Sequence, residues 1–163
     1  MLSQDFIALS ANIALTLTFV IGLIFGIAQV RAASRDRRER LTLETLRNFQ
    51  TREFAELIQF VNTTQFPKTQ EEMNNLSADQ QVMIIQYSQQ MENLGILVAE
   101  NLINLELVDK TLGTFVTTAW KKYKIMFSQI RESDPYLGEY FQWLAQRIAE
   151  RAKNSPRKPF YLD

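Results

Sequence analysis

The chain has 163 residues, 18 of them basic and 18 acidic, and it contains neither cysteine nor histidine. Those two absences exclude a disulfide, a thiolate nucleophile, a zinc–thiolate site and an imidazole base. They also exclude the Glu-x-x-His pairs of helical di-iron bundles and the commonest axial ligands of haem. The charges are laid out unevenly: Arg31, Arg35, Arg37, Arg38 and Arg40 face only Asp36 and Glu39, and positions 41–163 keep 13 basic against 15 acidic residues. No part of that region carries the basic excess that a nucleic-acid partner requires.

The first element is the uncharged run from Phe6 to Val30. As a helix it reaches roughly 37 Å, enough to cross a hydrocarbon core of about 30 Å. A cleaved export signal has a basic start and a shorter apolar core, whereas "MLSQDF" carries only an acid. A retained transmembrane helix is therefore predicted over residues 6–30, preceded by a short outer-face segment, 1–5, and followed by a basic juxtamembrane segment, 31–40. Lys and Arg flanking a span stay on the cytoplasmic side. Five arginines after the span and no basic residue before it place the N-terminus outside and the remainder in the cytoplasm. Arg31, Arg35, Arg37, Arg38 and Arg40 are also placed to reach anionic lipid headgroups. Within the span, Ser10, Ala14, Thr18, Gly22 and Gly26 recur every four residues. Such a ridge of small side chains lets a second helix approach closely where lipid supplies little hydrophobic drive, with a homodimer and a hetero-complex both open.

No Pro or Gly interrupts the chain from Arg31 to Phe66, so the helix is expected to continue to about Asn62, with Phe54, Leu57, Ile58 and Val61 on one face. "NTTQFPKT" reads as a loop, because the residue before a proline is biased away from helix. Ser77 with Gln80 three residues on is a capping box, opening a helix predicted over 78–105 with Ile84, Tyr87, Met91, Leu94 and Val98 as its seam. A third helix is predicted over 110–132, with Asp109 as its cap and Leu112, Val116, Ala119, Tyr123, Met126 and Ile130 inward. "SDP" at 133–135 reads as the start of a fourth helix, with Pro135 at its first position and Leu137, Tyr140, Phe141, Leu144 and Ile148 buried. Its end is placed near Ala152. The result is an all-α chain, one span continuing into a small cytoplasmic bundle over 41–152 and then an extended tail over 153–163.

Chemistry-bearing constellations are few. Glu100, Glu106 and Asp109 lack any nitrogen ligand beside them and read as solvated acids. "WKKYK", Trp120 to Lys124, reads as the edge of an amphipathic face. The Pro-spaced tail ends in Phe160, Tyr161 and Leu162, for which disorder, the usual fate of a chain end, and docking onto a partner are both open. No catalytic, cofactor-binding or metal-ligating residue is assigned.

The stretch "NLGILVAENLINLELVDKTLGTFVTTAWKKY" leading to "YFQWLAQRI", with positions such as Trp120 and Arg131, resembles a family of short bacterial single-span membrane proteins with a helical cytoplasmic domain. That family is catalogued only as a domain of unknown function. The resemblance covers roughly 6–150 and implies a span with cytoplasmic helices in a bacterial inner membrane; it brings no activity, cofactor or catalytic residue. The expected role is a non-catalytic accessory or structural subunit of a larger membrane complex, such as a respiratory or photosynthetic assembly. The alternative is a self-associating membrane-tethered regulator or adaptor that binds a soluble partner through its helices.

Overall fold

The computed structural model describes residues 2–159 and 161, the side chains of Leu2 and Asp5 excepted. The described residues form six helices and no strand: α1 Leu2–Arg47, α2 Arg52–Thr63, α3 Gln70–Asn74, α4 Ala78–Ala99, α5 Leu105–Ile130 and α6 Glu139–Asn154. They divide into two compact units, residues 1–40 and 41–163.

The first unit is the greater part of α1. Its described side chains from Ile7 to Arg37 are all exposed. It contains the one helix among the described residues that is long and apolar enough to cross a membrane, and none of its most apolar 18-residue window is buried.

In the second unit the chain departs from an uninterrupted helix. It turns at Asn48–Gln50, where three backbone N–H groups bond to carbonyls three residues earlier. Thr51, extended at φ −97° and ψ 160°, then caps a new helix by accepting from Phe54 N at 3.2 Å. The break needs no Pro or Gly, because a threonine hydroxyl in this backbone conformation satisfies a helix N-terminus. Turning brings Phe54, Leu57 and Val61 into the core, with Ile58 only partly covered. Between the loop of "NTTQFPKT" and Ser77 lies the single-turn α3, capped by Thr69 and burying Met73.

The Ser77–Gln80 capping box forms as expected. α4 stops at Ala99, six residues before its predicted end, because Asn101 turns left-handed at φ 58°. Leu102 N and Ile103 N then return to Leu97 O and bury Ile103, the closure that usually ends a helix. Asn104, not Asp109, caps α5 by accepting from Glu106 N at 2.8 Å, so α5 begins five residues early and Asp109 lies within it.

"SDP" does not start α6. The Asp134 carboxylate accepts from Tyr136 N in a side-chain turn, and the chain runs through further turns to Gly138, which is left-handed at φ 65°. A Cβ at Gly138 would meet Phe127 Cε2 at 2.2 Å, so both backbone and space hold glycine here. Leu137 and Tyr140 consequently lie at the core's edge, while Phe141, Leu144 and Ile148 are buried as expected.

α6 packs against both α4 and α5. Where it meets α4 the backbones nearly touch: a Cβ at Gly95 would stand 2.3 Å from Tyr140 O. Tyr87 and Tyr123 stack at 5.9 Å between centroids, and Phe54, Phe141 and Phe127 surround them. Each phenol keeps its proton for a partner, Tyr123 OH donating to Ile84 O at 2.8 Å and Tyr87 OH to Phe115 O at 3.3 Å.

Candidate functional site

The expected functional residues fall into three groups that stay apart along the chain. Ser10, Ala14, Thr18, Gly22 and Gly26 form a ridge that winds around α1, all exposed, since each four-residue step turns about 40° past a full turn. Ser10 Oγ donates to Phe6 O and Thr18 Oγ1 to Ala14 O, both at 2.8 Å. Their hydroxyls are thus satisfied inside the helix and need no water, the arrangement a lipid-facing residue requires. A Cβ at Gly22 or Gly26 would meet nothing within 4 Å, so neither glycine is explained by a contact within the chain.

Of the five arginines, Arg35 pairs with Glu39 at 2.9 Å, one turn on, and Arg38 is partly covered. The Glu39 partner also raises the Arg35 guanidinium's affinity for its proton. Arg31, Arg37 and Arg40 are exposed. In the tail, Tyr161 is 85% exposed; Phe160 and Leu162 lie outside the described residues.

The three acids near the α4–α5 connection do not converge. Glu100 is the C-terminal cap residue of α4, and Glu106 pairs with Lys110 at 2.6 Å. Asp109 is not a solvated acid: its side chain is 10% exposed, with Arg151 Nε at 3.7 Å and Arg157 Nη2 at 3.8 Å. The correction has a simple cause. Asp109 sits in the second turn of α5 on the side facing α6, where it is shielded and draws a cation from α6 and another from the tail. No group of three or more acids among the described residues is arranged to hold a metal ion.

"WKKYK" divides between core and edge. Trp120 packs against Phe141 at 5.2 Å and Tyr123 is fully buried. Lys121 and Lys124 are exposed, but Lys122 Nζ donates to Val61 O at 2.5 Å and to Asn62 O at 3.0 Å. It closes the C-terminus of α2, where a cation is favoured, a role that nothing local in the sequence signals. Glu92 does the reverse at the start of α6. Its carboxylate accepts from Tyr140 N at 3.1 Å and Phe141 N at 2.8 Å, supplying from α4 the cap that Gly138 cannot.

Arg131 ties these elements together. It donates from Nε to Leu137 O at 2.7 Å and from Nη1 to Gln142 Oε1, and its guanidinium lies over the Trp120 ring, 5.8 Å from the centroid. The two positions singled out by the resemblance therefore touch. The family model described as "Domain of unknown function (DUF4760)" matches residues 16–148, from within the apolar part of α1 almost to the end of α6. The chain belongs to that family. Neither a curated protein nor a solved structure matches it. The matched region contains Gly22, Gly26, all five arginines, Glu92, Trp120 and Arg131, and leaves out Arg151, Arg157 and the tail.

Proposed function

We propose that this protein is a non-catalytic accessory subunit of a larger membrane complex, held in the bilayer by residues 6–30 and presenting its helical unit to neighbouring subunits in the cytoplasm. The observation that carries the reading is the exposure of α1. Phe6, Leu15, Phe19, Phe25 and Val30 are each at least 68% exposed, a cost that water would impose on every one of them and lipid removes. The buried unit gives the other half of the argument: its seams are filled by Leu, Ile, Met, Phe and Tyr side chains, which burial alone accounts for. Its few buried or half-buried charges, Asp109, Glu92, Lys122, Arg131 and Arg151, are each engaged by another helix, a helix end or an aromatic ring. The bacterial cytoplasmic membrane is the setting that the resemblance implies, and the arginine asymmetry favours an outward N-terminus.

Mild detergent extraction followed by native-mass measurement tests the role. Co-migration with other polypeptides in a large assembly is expected. A species containing only this chain, at the mass of a dimer, would refute the accessory role and favour the self-associating regulator.

A further inference from the structure

The start of α5, the end of α6 and the chain leaving α6 enclose an open cleft of about 760 Å³, lined by Lys110, Arg151, Ser155, Arg157 and Lys158 with Glu106 as its acid. We propose that this cleft binds a phosphate group, carried either by a lipid headgroup or by a soluble phosphate compound.

Charge is the first argument. Four cations line the cleft beside a single lining acid, Glu106, with Asp109 beneath. The rest of the unit is slightly acidic, so the attraction is local to this cleft and unsuited to a long polyanion such as nucleic acid. The reach of the arginines is visible on Glu106. Its carboxyl is held below the ordinary value first by the Lys110 hydrogen bond and charge, and then by Arg151 and Arg157 from across the cleft.

Geometry is the second. Asp109 stands 3.7 Å from Arg151 Nε and 3.8 Å from Arg157 Nη2, near enough to orient both guanidinium groups by charge but beyond hydrogen-bond length. Arg151 Nε is shielded from solvent and has no hydrogen-bond acceptor among the described residues. Arg157 Nη2 has only a long contact, 3.5 Å, to Asp109 O. Two guanidinium groups from different segments are thus positioned at the cleft, their side chains 41% and 52% exposed. Planar forks of this kind match phosphate oxygens two at a time. The Ser155 hydroxyl and the Lys110 and Lys158 ammonium groups stand at the same cleft. Arg151 also neutralises the C-terminal end of α6.

The test uses the full chain in neutral detergent micelles at fixed ionic strength. Calorimetric titration is run with inorganic pyrophosphate and, separately, with short-chain phosphatidic acid added to the micelles. Saturable binding near one ligand per chain is expected. Arg151→Gln with Arg157→Gln should weaken it by about tenfold or more per arginine. Arg147→Gln, at a position outside the cleft lining, should leave it unchanged. Binding of the lipid alone assigns a headgroup, and binding of pyrophosphate alone or of both assigns a soluble phosphate; each supports the site. Should the double variant lose its near-ultraviolet circular dichroism, Arg151→Lys and Lys158→Gln replace it, with partial weakening expected. Absence of saturable binding by both probes, or equal binding by the folded cleft variants and the native chain, overturns the proposal.

Discussion

Replacing Gly95 by alanine should destabilise the helical unit, against the direction that helix propensity gives. In an exposed helix interior the change stabilises by about 1 kcal/mol, because glycine surrenders more backbone freedom than alanine on folding. Here the new methyl would stand 2.3 Å from Tyr140 O, 2.7 Å from Tyr140 C and 2.9 Å from Tyr140 Cβ. Two of those atoms are backbone, so no side-chain rotation relieves the contact, and α6 has to move away from α4. The movement also pulls Tyr140 N and Phe141 N from the Glu92 carboxylate, the only side-chain acceptor at that helix start among the described residues. Overpacking a tight contact costs about 1–3 kcal/mol, and loosening hydrogen bonds to a charged acceptor adds about 1 kcal/mol or more. Net of the propensity gain, a loss of about 2 kcal/mol is expected. For a unit of this size that lowers the thermal midpoint by about 6–10 °C. The assay is thermal unfolding of the full chain in neutral detergent, followed by near-ultraviolet circular dichroism. A midpoint equal to or above that of the native chain would refute the close approach of α4 and α6.

Glu92→Ala should cost about 2–3 kcal/mol by removing both acceptors at the start of α6, with Glu92→Gln about half as damaging, measured by the same melts; equal midpoints for the two variants would deny the carboxylate its role. Burial raises the Tyr87 and Tyr123 phenols above the ordinary value of 10.0, so above about pH 10 the unfolded chain releases protons that the folded chain keeps. Stability should then fall with rising pH by about 1.4 kcal/mol per pH unit for each tyrosine, and Tyr87→Phe should shallow the decline in alkaline melts; an unchanged slope would contradict it. Gly22→Leu with Gly26→Leu should reduce co-purification of partner polypeptides while leaving the chain in the membrane fraction, and undiminished recovery of partners would leave the glycines without a packing role. Protease added to sealed cells should spare residues 54–163, whereas their digestion from outside would reverse the orientation assigned to the apolar helix.

The seams were legible because a buried helix face repeats at a fixed interval: Ile84, Tyr87, Met91, Leu94 and Val98 on α4, and Leu112, Val116, Ala119, Tyr123 and Met126 on α5, are buried as their spacing indicates, and only Ile130, the last residue of α5, is partly covered. The Ser77–Gln80 box was legible for a related reason, since both partners lie within one turn and announce themselves together. Helix ends decided by one side chain were not. Thr51, Asn101 and Asn104 each start or stop a helix, whereas Asn93, Thr111 and Thr117 lie inside helices, and "SDP" offers two compatible conformations between which Gly138 and the Phe127 ring decide.

Least legible were the charges that act across the fold. Lys122 closes a helix about 60 residues earlier, Glu92 opens one 48 residues later, and Asp109 meets Arg157 at the same separation of 48. Within its own helix each of these residues looks like any polar position beside an apolar stripe, because the helical period says which way a side chain points and nothing about what stands opposite. These residues are engaged by unpaired helix ends or by charges on other segments. Those partners exist only once α2, α4, α5 and α6 have been brought together by their seams. Packing sets the register of the helices first, and the charges then stabilise that register at their ends. It follows that changing one of these charges should loosen a helix terminus, whereas changing Gly95 should shift a whole helix. The cleft at Arg151 and Arg157 belongs to the same class, since its cations come from segments that no local pattern connects.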